Sequence, residues 1–273
     1  MALAKAGFTL GIRPVTSLLP HEETIPANVE RIASEMKRDG IQKDPIIIDG
    51  GTATILDGMH RLAAFFTLGI ENAVCCAVDY SSRSISLARW ARVYSLGGGD
   101  SLDRLLAPAG ITRRTTLAEA FSALETREAS LAALTSDAAY LPETNLDFGT
   151  AMGTMTALDK LAAARGFGRE FVSEDEVDIP LQAGRNVVVL LRRLGKEDVI
   201  TAARTGKLFP CKTSMHRIDP RPVAVDFPIE ELGKATTEVL RQRLAGRTEI
   251  LLPPDTMYEG RRYKERLLLL NQD

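Results

Sequence analysis

The run Asp57-Gly58-Met59-His60-Arg61 gathers residue types that bind and move phosphate. It follows the apolar pair Ile55-Leu56 and precedes Leu62-Ala63-Ala64, so it reads as a strand end, a tight turn and a helix start. Glycine in such a turn lets the backbone approach a ligand closely, and the first N–H groups of the helix point outward. His60 and Arg61 add donors that suit phosphate, and Asp57 adds a carboxylate that suits a metal or a hydroxyl. The same five residues also fit an ordinary Asp-Gly turn leading into a solvated helix end, so the local sequence leaves both readings open.

A second carboxylate cluster stands upstream at His21-Glu22-Glu23. Glu22 is a candidate proton acceptor, with Glu23 as the alternative; equally, both could be acids favoured by the dipole of the following helix. That helix is expected over Pro26 to Arg38, where Val29, Ile32, Ala33 and Met36 share one face and Gly40 forms the C-cap. Pro45 to Ile48 reads as a strand, Asp49-Gly50-Gly51 as a hairpin turn and Ala53 to Leu56 as the partner strand. A helix follows from His60 to Leu68, then a strand from Ala73 to Val78. Further on, Lys212-Thr213-Ser214 is a polar loop after an expected helix over Glu197 to Thr205.

From about residue 12 to 80 this pattern resembles the ParB/sulfiredoxin superfamily. Within it, His21-Glu22 combined with Asp57-Gly58-Met59-His60-Arg61 is similar to the free serine kinases, whose members use ADP or ATP. Gly206 to Ser214 and Val223 to Pro228 are similar to a Lys-Ser/Thr segment of those kinases and the strand after it. Residues 97 to 185 match no named pattern. Sulfiredoxins need a cysteine nucleophile where Met59 stands. ParB proteins carry a Gly-Glu-Arg-Arg turn and a helix-turn-helix domain, which this chain does not display after residue 80.

The resemblance implies an α+β protein, with residues 1–96 a ParB/sulfiredoxin-like nucleotide-binding and catalytic domain. Residues 97–273 would form a mixed α/β C-terminal domain that binds substrate, with the active site between the two. It implies phosphoryl transfer from ATP or ADP, with Mg²⁺, to the hydroxyl of free L-serine, giving O-phospho-L-serine for cysteine or siderophore-precursor synthesis. Glu22 would be the base, and Asp57 would orient the hydroxyl or help hold the metal. Gly58, Met59, His60 and Arg61 would cradle the nucleotide phosphates. His21, Lys212, Thr213 and Ser214 would bind the substrate. The alternatives are a non-catalytic ParB-like regulator that binds nucleotide or DNA, and a kinase for threonine or another small hydroxy-amine.

Composition is compatible with this. Lys plus Arg number 34 against 36 Asp plus Glu, a formal charge of −2, so no net field draws the chain onto nucleic acid, and none is expected as partner. Three cysteines, two adjacent at Cys75-Cys76, make neither a disulfide framework nor a spaced metal site. No apolar run reaches the ~18 residues of a membrane span, and the N-terminus is a poor signal peptide, so the cytoplasm is the expected location. Gly97-Gly98-Gly99-Asp100 is the expected domain break.

Beyond residue 80, helices are expected over Ile85 to Tyr94, Thr115 to Leu124, Glu128 to Leu134, Thr150 to Arg165 and Thr236 to Leu244. Strands are expected over Asn186 to Leu191, Pro222 to Phe227 and Glu249 to Leu252. Small residues in Thr150 to Arg165 leave a homodimer interface open, with intrachain packing the simpler reading. The tail Tyr258 to Arg266 is either a solvated charged end or a segment whose Arg261, Arg262 or Lys264 closes over phosphates.

Overall fold

The turn and its two flanking elements sit in a four-stranded sheet of the computed structural model, which describes residues 7–97 and 101–272. Gly98, Gly99 and Asp100 of the expected break lie outside the described residues. The chain forms two compact units. One comprises residues up to Ser86 with Gly195–Cys211 and His216–Asp273; the other comprises Leu87–Leu194 and Lys212–Met215. Both units are therefore discontinuous in sequence.

In the first unit, β1 (Thr9–Pro14), α1 (Pro26–Asp39), β2 (Ile41–Gln42), β3 (Ile46–Asp49), β4 (Ile55–Asp57), α2 (Met59–Leu68) and β5 (Asn72–Val78) follow one another. The sheet order is β1-β5-β3-β4, with β3 and β5 parallel and the outer pairs antiparallel. Ile46, Ile47, Ile48, Ile55 and Leu56 are all buried, which fixes the strands that carry Asp57 to the turn. Each such side chain withdrawn from water contributes about 1.5–3 kcal/mol. Cys75 and Cys76 are buried free thiols on β5, and burial pushes Cys75 up to about 12, so neither is a nucleophile.

The second unit is built on a fully antiparallel six-stranded sheet. Its strands are β7 (Trp90–Ser95), β8 (Ile111–Thr115), β9 (Leu131–Leu134), β10 (Ala139–Pro142), β11 (Gly168–Ser173) and β12 (Asn186–Leu191), in the order β11-β7-β12-β9-β10-β8. Residues along β7, β9 and β12 alternate between two cores. Tyr94, Leu131, Ala133, Val187 and Val189 join the one containing Ala151, Met155, Leu158 and Ala162 of the helix Phe148–Ala164. Val93, Ala132, Leu134, Val188 and Leu190 join the other, with Ala120 and Leu124 of the helix Leu117–Glu125.

This two-faced burial explains two errors of expectation. Ile85 to Tyr94 forms strands Ile85–Ala88 and Trp90–Ser95, and Glu128 to Leu134 contains the strand Leu131–Leu134; neither is helical. A strand covered on both faces is apolar throughout, so it loses the alternation that would distinguish it from a buried helix. Pro222 to Phe227 is likewise interrupted: strands Arg221–Val223 and Phe227–Pro228 flank Ala224 and Asp226, both at positive φ. Among the described residues no helix is long and apolar enough to cross a membrane.

Candidate active site

Gly58 carries φ 111° as the residue before α2, a left-handed conformation that side chains rarely adopt. A Cβ there would stand 3.0 Å from Nη2 and 3.1 Å from Nε of Arg61. The absent side chain thus lets the Arg61 guanidinium fold back over the turn. Arg61 Nε is buried without a hydrogen-bond partner, an orphan donor that an incoming acceptor would satisfy. Gly58 provides no side-chain cap, so the first turn of α2 presents its positive end beside that guanidinium. Met59 opens the helix and contributes backbone to this turn.

Asp57 closes the other side of the turn. Its Oδ2 lies 2.9 Å from Arg61 Nη2 and 3.2 Å from Arg221 Nη1. Burial alone would raise this carboxyl. The Arg61, Arg221 and Arg261 guanidiniums outweigh burial and hold it well below the usual carboxylate range. Asp57 is therefore a permanent anion and a weak proton acceptor. Its Oδ2 serves two guanidiniums, and no group of three or more His, Cys, Asp or Glu is gathered for a metal among the described residues, so Asp57 could offer a dication only a single carboxylate beside its waters and a substrate's phosphates.

Glu22 lies on a segment whose neighbouring residues pair with the strand before the turn and with the helix after it. Leu19 bridges Thr54 in parallel, and the Ile25 N–H donates to His60 Nε2 at 3.0 Å. Both pairs are 35 residues apart in sequence, as are Glu22 and Asp57, which occupy corresponding places between them. Phe209 fixes the segment from its other edge: its N–H donates to the His21 carbonyl and its carbonyl accepts from Glu23, both at 2.9 Å. Glu22 is buried in the span so clamped.

Both histidines also make contacts to the backbone. Because Ile25 donates to it, Nε2 of His60 carries no proton and fastens the start of α1, leaving the Nδ1–H as that ring's donor. His21 is fully buried, its Nδ1–H donating to the Ile55 carbonyl at 2.8 Å and its ring edge-on to His216 at 5.4 Å. Burial lowers His21 to about 4, against the opposing pull of the Ile55 hydrogen bond. Its hydrogen bond to Ile55 braces the segment that carries Glu22.

Lys212, Thr213 and Ser214 belong to the second unit. Lys212 has φ 59°, and its ammonium lies 4.3 Å from the ring centroid of Trp90, a cation–π contact; Thr213 and Ser214 are buried.

Sequence reasoning missed Arg221, His216, Tyr80 and Glu265. The Tyr80 hydroxyl is hydrogen-bonded to His216 Nε2 at 2.7 Å, and the His216 carbonyl accepts from Arg221 Nη2 at 2.5 Å. Arg221 Nε donates to Glu265 at 2.6 Å. Arg221 and Asp57 lie 164 positions apart in the chain, so no local spacing could have revealed the pair.

No family model matches the chain. Over 76 residues it is 33% identical to a ParB-like protein of Sulfolobus acidocaldarius, covering 28% of this chain and 38% of that protein. Over 80 residues it is 30% identical to an ATP-dependent L-serine kinase of Staphylothermus marinus, covering 28% and 32%. The matched stretch thus spans about a third of the length of these curated relatives. An ADP-dependent L-serine kinase of Thermococcus kodakarensis is 21% identical over 233 residues, covering 78% of this chain and 88% of that enzyme.

Two solved structures share the fold. A free serine kinase variant in complex with ADP superimposes with a TM-score of 0.67 at 20% identity, covering 83% of this chain and 94% of that one. The C-terminally truncated SbnI of Staphylococcus aureus gives 0.68 at 17% identity, covering 89% and 96%. The expected α+β fold is therefore the observed one, and it is the fold of the free serine kinases.

Proposed function

We propose that this chain is a kinase that transfers a phosphoryl group from ATP or ADP to the hydroxyl of free L-serine, giving O-phospho-L-serine. The observation that carries this reading is the turn at Gly58, where the start of α2 and an orphan Arg61 Nε form an anion cradle beside a fixed carboxylate. Such a cradle stabilises charge spread over the oxygens of a transferring phosphoryl group.

Glu22, held between Phe209 and the strand leading to Asp57, is the proton acceptor for the hydroxyl. A carboxylate suffices because the hydroxyl becomes acidic as its bond to phosphorus forms. Asp57 stays ionised and orients its surroundings instead of taking the proton. Arg61 and the backbone of Gly58 and Met59 bind the phosphates, while Lys212, Thr213 and Ser214 bind the anionic end of the amino acid. Mg²⁺ would neutralise the donor phosphates in such a reaction, with Asp57 the carboxylate that could help hold it. A donor drawn from the nucleotide pool places the reaction in the cytoplasm.

The names of the relatives support the substrate class, and they include both an ATP- and an ADP-dependent serine kinase. The test is ³¹P NMR of the protein with Mg²⁺ and L-serine, with ATP in one sample and ADP in the other. A phosphoserine resonance is expected, and the sample showing it names the donor. No resonance in either, with nucleotide still bound, would remove serine phosphorylation.

A further inference from the structure

The side-chain hydrogen bond of Asp57 and the closest approach of each of its ion pairs fall on one oxygen. Oδ2 takes Arg61 Nη2 at 2.9 Å and Arg221 Nη1 at 3.2 Å. Among the described residues no hydrogen bond falls on Oδ1, on a side chain about one-third exposed. Two guanidiniums from different parts of the chain, converging on a single oxygen, remove the freedom of the carboxylate to rotate.

Arg221 is itself immobile. It is 3% exposed; Nε donates to the Glu265 carboxylate at 2.6 Å and Nη2 to the His216 carbonyl at 2.5 Å, while Nη1 stands 3.2 Å from Asp57 Oδ2 as an ion pair without a hydrogen bond. Its N–H donates to the Arg266 carbonyl at 2.8 Å, and its strand pairs in parallel with Leu267–Leu269. His216 is held in turn by Tyr80. With two of its three nitrogens hydrogen-bonded, the guanidinium is a fixed fork that holds its third nitrogen toward Asp57.

The geometry points to Arg221 as a positioning residue that pins Oδ2 of Asp57, so that Oδ1 receives the ammonium group of a free amino-acid acceptor. This rests on the serine kinase reading and sharpens it, since it supplies the reason the acceptor must be a free amino acid. A hydroxyl has a single proton, which the reaction requires Glu22 to take. An ammonium offers three donors and a positive charge, and a carboxylate that never protonates in the working range is its natural partner. Phosphate would be repelled by the same carboxylate and is drawn to the Gly58 and Arg61 side of the turn.

The test compares wild type with Arg221→Lys, Arg221→Ala and Asp57→Asn, following L-serine, N-acetyl-L-serine and nucleotide separately. Lysine keeps the charge but cannot reproduce the fork. An acceptor ammonium that loses its aligned carboxylate loses a charge-assisted contact, which corresponds to about 10- to 100-fold, so KM for L-serine should rise by roughly that factor in both Arg221 variants. KM for nucleotide should stay within about threefold, and added guanidinium should restore part of the loss in Arg221→Ala. Asp57→Asn should shrink the preference for L-serine over its N-acetyl form. An unchanged KM for serine, or equal increases in both KM values, would overturn the assignment.

A second readout needs no turnover. The ¹³C carboxyl resonance of Asp57 should titrate at distinctly higher pH in Arg221→Ala than in wild type. If the two titrate alike, Arg221 does not hold Asp57. A wild type that phosphorylates no serine would instead remove the functional reading, and the carboxyl comparison would still decide the pairing.

Discussion

Asp57 and Arg221 meet at 3.2 Å across 164 positions of sequence, and Arg61 approaches the same Asp57 oxygen at 2.9 Å from within its own helix turn. The motif visible in the sequence is thus one half of an ion-paired centre. Its other half comes from the far end of the chain.

If Glu22 takes the hydroxyl proton, Glu22→Gln keeps the size and buried position of the side chain but removes its basicity. Phosphoserine formation should fall by about 10²- to 10⁴-fold, the usual contribution of a general base, with nucleotide affinity retained. A coupled assay and calorimetric titration of nucleotide check both halves. Retention of full turnover would transfer the role to Glu23.

Gly58→Ala combines a disfavoured φ of 111° with a methyl 3.0 Å from the Arg61 guanidinium. The strain should cost about 1–3 kcal/mol, lowering the melting temperature by several degrees, and displacement of Arg61 should weaken nucleotide binding. A normal melting temperature and normal affinity would show that neither constraint matters.

His60→Ala removes the acceptor that Ile25 uses at the start of α1. Loss of such a cap should lower the unfolding free energy by about 0.5–2 kcal/mol in urea titrations. A variant as stable as wild type would return His60 to the phosphate role suggested by its place in the sequence.

Acid should destabilise the fold through its buried imidazoles. Burial holds His21 at about 4 and His216 well below its ordinary value, whereas both protonate near 6.5 when unfolded. The unfolded chain then binds more protons, so this stability is complete above pH 6.5 and is lost as pH falls toward 4, by roughly 3 kcal/mol for His21. Asp57 is not the source of that loss, because its contribution persists down to the ordinary carboxylate range near 3.8 and is lost only below it. The chain has only three histidines, so NMR titration of their ring protons is direct. A midpoint near 6.5 for all three would refute the account.

What the sequence made legible was local. The turn residues, the amphipathic helix at Pro26 and the strands around Asp57 all follow from spacing over a dozen residues or fewer. The nearness of Glu22 to the turn depends on parallel pairing with Thr54 and on Phe209, which no window of sequence contains. The types of His21 and His60 suggest anion ligands, but the burial of the one and the backbone N–H held by the other depend on neighbours that the local sequence does not contain. In the second unit, strands apolar on both faces gave no period to read.

The first unit is assembled from three stretches of chain, and this imposes an order in time. During synthesis Asp57 and Arg61 emerge early, and well over a hundred residues follow before Arg221 and then Glu265 appear. Until they do, the Asp57 carboxylate lacks its second guanidinium and can rotate. The ribosome would therefore release the turn first and the residues that align its carboxylate last.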